Sequence, residues 1–380
     1  MTSIDYAHAV VLSGGGAKGA YEVGVMKALF EGRCPSTNGR PLNPGVFSGT
    51  SAGSFNAAVM VSRSRESASA RVHRLESIWR ERIADRHFDG SNAVFRVRGL
   101  PSGLLNPLSL LRDPLLPLQQ WTQDASYLAG DSWRRVAGFR RSGGGLPRSL
   151  LDLMNLSSFL SFEPFHQLLR DTIRADEILT SKRALRVATT NWRTGKLRIY
   201  RNPCGDGDSG QVAMNEKTAS PAIAASAAIP GIFPPVVIDG EPFVDGGAVM
   251  NTPLRPGILA GADTHHVIYL DPALEDVQLG PVESSLQSSG RVFSMMLAVI
   301  TNRDIAAARR INRMLALETR GRSSEGRTFK KLTIHRYRPQ HDLGGILGML
   351  DFTPTNLTEL IALGEDDAVH HNCAASECVI

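Results

Sequence analysis

Five residues, Gly49-Thr50-Ser51-Ala52-Gly53, set a serine between glycines two positions to either side. That spacing lets a strand turn sharply into a helix and leaves the serine oxygen exposed at the bend, where it can attack a carbonyl carbon. An ordinary strand-to-helix turn has the same composition, so the serine needs partners. One is Gly14-Gly15-Gly16, 35 residues upstream. Three residues without Cβ expose consecutive backbone N–H groups, and such a loop at a helix amino terminus binds anions. It is a candidate oxyanion hole for the tetrahedral intermediate formed when Ser51 attacks, each donor being worth about 3 kcal/mol in the transition state. A base is needed too, and Asp245, followed by Gly246-Gly247, is the candidate. An Asp-Gly turn accounts for the same residues structurally. A carboxylate of ordinary pKa, about 3.9, is a weak base, so a direct Ser-Asp pair requires burial that raises its basicity.

The glycine loop admits two other readings. Gly14-x-Gly16-x-x-Gly19 matches the dinucleotide fingerprint, which needs an acidic residue about 20 positions on to hold the ribose. Between Glu31 and Glu66 there is no Asp or Glu, so that anchor is missing. A phosphate-binding Walker loop fails as well, because Ala20 follows Gly19 where its lysine belongs.

The elements that must position these residues are visible in the hydrophobic pattern. Ala9 to Ser13 reads as a strand that ends in the glycine loop, and Ala20, Val23, Met26, Ala28 and Leu29 follow a helical period after it. Gly45 to Ser48 reads as a second strand, Gly49 to Ser54 as a tight turn, and Phe55 to Val61 as a small, apolar helix. Two β-loop-α units predict an α/β fold with a central, mainly parallel sheet and helices on both faces, both loops lying at one edge of it. Leu185 to Asn191 and Lys196 to Tyr200 flank Thr194-Gly195 as a hairpin, and His265 to Leu270 reads as a strand stopping at Asp271-Pro272. A long helical stretch over Val292–Leu317, a strand over Lys331–Tyr337 and a helix over Leu357–Val369 follow. Residues 92–160 interleave Leu and Pro without a sustained period and read as an insertion. The expected organisation is one domain: a catalytic part over 8–270, with 271–380 packed on it.

The chain has 380 residues, of which 42% are hydrophobic and 21% charged. That profile excludes disorder, collagen and coiled coil. Charge is +5, from 42 Lys+Arg against 37 Asp+Glu, a mild basic bias that suits an anionic surface without demanding one. Cys34, Cys204, Cys373 and Cys378 are too few and too scattered for a disulfide scaffold, so a reducing, cytoplasmic setting is expected. Met1 to Ser13 lacks the basic and apolar stretches of a signal peptide. No run reaches the roughly 18 apolar residues of a membrane span. Ala222 to Ile238 comes nearest, but Pro230, Pro234 and Pro235 break it.

Four motifs stand in a telling order: Gly14-Gly15-Gly16-Ala17-Lys18-Gly19, Gly49-Thr50-Ser51-Ala52-Gly53, the segment Ala225 to Pro235, and Asp245-Gly246-Gly247. Together they resemble the patatin-like phospholipases, over residues 8 to about 256, with Asp351 to Ala368 similar to that family's closing helix. The resemblance implies a three-layer α/β/α core and hydrolysis of lipid acyl esters without a metal or other cofactor. It implies Ser51 as nucleophile, Asp245 as its sole partner in a dyad, and Gly14, Gly15 and Gly16 as the oxyanion hole. Lys18 stands where the family more often has Arg. The expected partner is a phospholipid or another lipid ester, not nucleic acid, and the sequence leaves the oligomeric state open.

Trp133, Arg134, Arg135, Phe139, Arg140 and Arg141 mix arginines with aromatics as a segment lying in an anionic membrane interface does, and equally as a basic surface whose aromatics pack inward. His370, His371, Cys373 and Cys378 could bind zinc, but they lack a standard spacing and fall in the last eleven residues, which read as a disordered tail. Two rivals to the dyad enzyme remain. One is an α/β-hydrolase with a Ser-Asp-His triad, for which His335 or His341 comes in the right chain order. The other is a lipid-binding or scaffolding protein without turnover.

Overall fold

The protein is described by a computed structural model that covers residues 3–62, 66–84, 92–97, 160–272 except 206 and 209, 305–316 and 330–380, with a few single residues between. Strands β1 (Asp5–Leu12), β2 (Pro44–Thr50) and β5 (Ala184–Asn191) form the middle of the main sheet, flanked by β10 (Thr264–Ile268) and β11 (Thr333–Tyr337). These five run parallel in the order β11-β10-β1-β2-β5. Every residue of β2 and β5 is buried, as strands covered on both faces must be. Beyond β5 the sheet turns mixed. There β6 (Leu197–Arg201) closes the expected hairpin antiparallel to β5, and β7 (Gln211–Ala213) pairs parallel to β6.

Helices pack on both faces of this mostly parallel sheet, giving the three-layer α/β/α arrangement expected from the sequence. They are α1 (Gly19–Phe30), α2 (Ala52–Ser62), α3 (Ala68–Ser77), α4 (Glu163–Thr172), α5 (Ala175–Leu179), α6 (Ala219–Ser226), α7 (Leu254–Leu259), α8 (residues 305–316), α9 (Gly345–Gly348) and α10 (Pro354–Val369). Helix α1 is buried nearly all round, with α10 packed along it. At their crossing the backbones meet: a Cβ on Gly24 would fall on Ile361 O, and one on Gly364 on Tyr21 O.

The described ends of the segment 92–160 meet. Strand β3 (Arg96–Val97) pairs antiparallel with β4 (Leu160–Ser161), and Arg96 forks onto Asp124 at 2.6 and 2.8 Å. Most of the segment lies outside the described residues, and with it Trp133, Arg134, Arg135, Phe139, Arg140 and Arg141.

The carboxyl terminus departs from expectation. Instead of a disordered tail, residues after α10 turn back onto β11, where Ile334 and Val379 exchange backbone hydrogen bonds of 2.7 and 2.9 Å. A short tail can be ordered when it covers the free edge of a parallel sheet, because it satisfies otherwise unpaired backbone groups. No helix among the described residues is long and apolar enough to cross a membrane.

Candidate active site

Strand β2 pairs with β5 as far as Thr50 opposite Ala188, and the chain then bends into α2. Strand β5 continues, and its next residues pair with β9 (Glu241–Asp245), the returning arm of a hairpin with β8 (Val236–Ile238), which arrives antiparallel with Asp245 opposite Thr189. On that side of β5, then, one strand stops just where another ends, and the two residues at the junction are Ser51 and Asp245. Their meeting is a consequence of register.

The bend is tight. Ser51 has φ of 55°, the left-handed region that non-glycine residues seldom occupy, a strain typically costing about 1–3 kcal/mol. A Cβ on Gly49 would strike Gly53 O, and one on Gly53 would stand 2.6 Å from Leu12 O, so both flanking positions demand glycine. The strain is held by Ser226. Its hydroxyl accepts the Ser51 N–H at 2.9 Å and donates to Ala188 O at 2.6 Å.

Asp245 is 5% exposed. Burial raises its pKa from 3.8 to about 7, against the opposing pull of two donors, the Gly247 N–H at 2.7 Å and the Ser51 hydroxyl. The Ser51 hydroxyl is thus close enough to act on the carboxyl, which has the raised basicity that a direct pair requires. No histidine among the described residues contributes to that shift or lines the adjoining pocket.

The glycine loop borders the same spot, since a Cβ on Gly14 would lie 3.0 Å from Ser51 Cβ. Its three members differ. The Gly14 N–H is engaged, donating to Asn251 O at 3.1 Å, while Asn251 Nδ2 returns a bond to Gly14 O. Gly15 and Gly16 begin a single 3-10 turn, where amides have no acceptor within the turn, and Gly16 has φ of 58°. The loop is anchored on three sides. The buried Glu22 carboxyl stands against the Ser13 backbone, the Ala17 N–H donates to Met349 O at 2.9 Å, and the buried Lys18 ammonium pairs with Asp271 at 2.9 Å.

A pocket of about 460 Å³, its mouth included, opens above Ser51. Phe55, Trp79, Phe165, Ile229, Phe233, Leu350 and Phe352 line it with Ser51; among the described lining residues the one other polar side-chain donor, the Trp79 indole N–H, is engaged by Asn56. Phe162 and Phe233 stack at 4.3 Å, and Phe95 meets Phe233 and Phe352 at 6.3 and 5.9 Å. Such a wall accepts an alkyl chain and offers a head group nothing.

Several of these residues escape a reading of the sequence. Ser226 falls inside the recognised segment Ala225 to Pro235, yet nothing marks its hydroxyl as the partner of the Ser51 amide. Glu22, Asn56 and Trp79 form a buried relay, with Trp79 Nε1 donating to Asn56 Oδ1 and Asn56 Nδ2 to Glu22, each at 2.8 Å. Met349 to Phe352 reach the pocket from the far end of the chain.

No curated protein matches the sequence. Among solved structures, the crystal structure of VipD from Legionella pneumophila is 14% identical, with a TM-score of 0.32 over 96% of this chain and 68% of that one, a likeness that carries no argument. The family model of the patatin-like phospholipases matches residues 10–258. That span begins in β1 and ends in α7, takes in the serine bend, the glycine loop and Asp245, and amounts to well over half of the sequence. The chain belongs to the patatin-like phospholipase family, whose members are lipid acyl hydrolases.

Proposed function

We propose that this chain cleaves fatty acyl esters of phospholipids through an acyl-Ser51 intermediate, with Asp245 as the only side-chain base. The observation that carries the reading is a buried carboxyl of pKa about 7 beside a strained serine at the floor of an apolar pocket. At neutral pH such a group is partly ionised, and basic enough to take a proton as the Ser51 oxygen bonds to the acyl carbon. The carbonyl oxygen becomes an oxyanion, for which the Gly15 and Gly16 amides are the available donors, the Gly14 amide being engaged with Asn251. Collapse breaks the ester bond, and the departing lysolipid oxygen takes the proton from Asp245. Water then attacks the acyl-serine with Asp245 again as base, releasing the fatty acid and restoring Ser51.

A fluorophosphonate probe should label the wild-type chain and not Ser51→Ala, and mass spectrometry of a mixed-lipid digest should show lysophospholipid and fatty acid with wild type only. Labelling of Ser51→Ala to the same extent sinks the nucleophile assignment. Liposome binding with no acyl release from any phospholipid, lysophospholipid or triglyceride makes the chain a lipid-binding protein instead. Peripheral contact with anionic membrane belongs to the same proposal and rests on composition: each arginine near such a surface adds about 1 kcal/mol of attraction. Changing Arg134, Arg135, Arg140 and Arg141 to Gln should lower turnover on anionic liposomes and spare a soluble short-chain ester. Equal loss on both would mean that the segment supports the fold.

A further inference from the structure

Three strands away from Ser51, at the outer edge of the sheet, four side chains converge from two distant parts of the chain. His335 comes from the middle of β11, and His371, Cys373 and Cys378 come from the tail that folds back on it. Their ligand atoms all lie within 4.8 Å of one another. The Cys373 sulfur is 3.4 Å from His335 Nδ1 and 3.5 Å from His371 Nε2, and the Cys378 sulfur is 3.5 Å from the same His371 Nε2. Around a tetrahedral zinc ion, with bonds of about 2.3 Å to sulfur and 2.0 Å to nitrogen, neighbouring S and N ligands stand about 3.5 Å apart.

We propose that His335, His371, Cys373 and Cys378 bind one zinc ion that fastens the carboxyl-terminal tail to the edge of the sheet. Two thiolates and two neutral imidazoles balance the charge of the ion, and binding releases the two thiol protons to solvent. The donor set, S₂N₂, selects zinc over the harder divalent ions. Four protein ligands leave no open position, which makes the site structural and not hydrolytic.

The surroundings are those of a built site. The Arg336 backbone N–H points at the Cys378 sulfur from 3.3 Å, and the ring nitrogen of His371 turned away from the cysteines meets Ser376 Oγ at 3.5 Å. Outer partners of this kind orient ligands and fix the tautomer of a ligating histidine. The Cys373–Cys378 loop closes on itself through the Cys378 N–H to Cys373 O at 2.9 Å, and Arg309 and Arg336 both hold Glu377 within it. The two histidines are 9% and 7% exposed, so the ion would be screened from water.

The full-length chain, purified under reducing conditions without chelator, should carry about one equivalent of zinc by elemental mass spectrometry. Stripped and retitrated with Co²⁺, it should develop the intense visible bands of tetrahedral cobalt with thiolate charge transfer. Zinc content should fall about tenfold or more in Cys373→Ser, Cys378→Ser and His371→Ala, and stay unchanged in Cys204→Ser. Because a ligand variant can fail to fold, the titration of stripped wild type stands as an independent measure. Reduced wild-type chain that carries no zinc and takes up neither Zn²⁺ nor Co²⁺ overturns the proposal, as do a Cys373–Cys378 disulfide in freshly isolated protein and metal binding indifferent to Cys378→Ser.

Discussion

Asp245 and Glu22 are both buried carboxyls, and burial raises the pKa of each with no cation among the groups that shift it. Only one of them touches a nucleophile. For Asp245 the sign of the pH effect follows from linkage: its folded pKa lies above its unfolded one, so the stability it contributes is complete below about pH 4 and is lost as pH rises through about 7. The loss is up to about 4 kcal/mol for a shift of that size. Asp245→Asn should therefore lower kcat by about 10²–10⁴ and yet raise Tm relative to wild type, with the gap opening between about pH 4 and pH 7. Thermal melts across that range, beside a pH profile of kcat/KM rising through a single apparent pKa near 7, check both halves. Glu22 makes the contrast. Its Oε2 accepts from Asn56, its Oε1 has no partner, and burial pushes its pKa well above the usual carboxylate range beside the loop at Ser13. Glu22→Gln should keep Ser51 labelling and, by the same linkage, raise Tm at neutral pH, whereas Glu22→Ala should lose labelling and lower Tm, since it strands the Asn56 amide.

The strand-loop-helix units around Gly14 and Ser51 are legible in the sequence because each is local: an apolar run, glycines where side chains cannot fit, then a helical period. Asp245 is legible only as a motif. Its approach to Ser51 depends on β9 joining β5 beyond the end of β2, a pairing between residues far apart in sequence that no periodicity encodes. The order of the tail is hidden in the sequence for the same reason. His371, Cys373 and Cys378 look poorly spaced until β11 supplies His335. The crossing of α1 and α10 is a further case of an element placed by what is missing. Gly364→Ala gains up to about 1 kcal/mol of helix propensity. The added methyl would fall on the Tyr21 carbonyl, and overpacking of a close crossing costs about 1–3 kcal/mol. The expected outcome is a lower Tm, where propensity alone predicts a higher one. Differential scanning fluorimetry of the single variant separates the two.

At the scale of the molecule, the wall of the pocket is gathered from the whole length of the chain: Phe55 after the serine bend, Phe165 after the insertion, Phe233 before Asp245, and Leu350 and Phe352 from the carboxyl-terminal part. From this and the packing of α10 on α1 we propose that the described residues of 271–380 form one cooperative unit with the described residues of 8–270. Calorimetry should then give one transition for the full chain, and two resolved transitions would refute the single unit. The wall also assigns a separable job to the far end of the sequence. Phe352 is distant in sequence from Ser51, Asp245 and the glycine loop, and its ring packs on Phe95 and faces the pocket. Removing it takes apolar surface from a long acyl chain, at about 0.8 kcal/mol for each methylene left in water, and nothing from an acetyl group too short to reach it. For Phe352→Ala, kcat/KM on a long-chain ester should fall about tenfold, the equivalent of 1.4 kcal/mol, while the value on an acetyl ester of the same alcohol stays within about twofold. A parallel fall on both esters would mean that Phe352 holds the catalytic loops in place and does not read the chain.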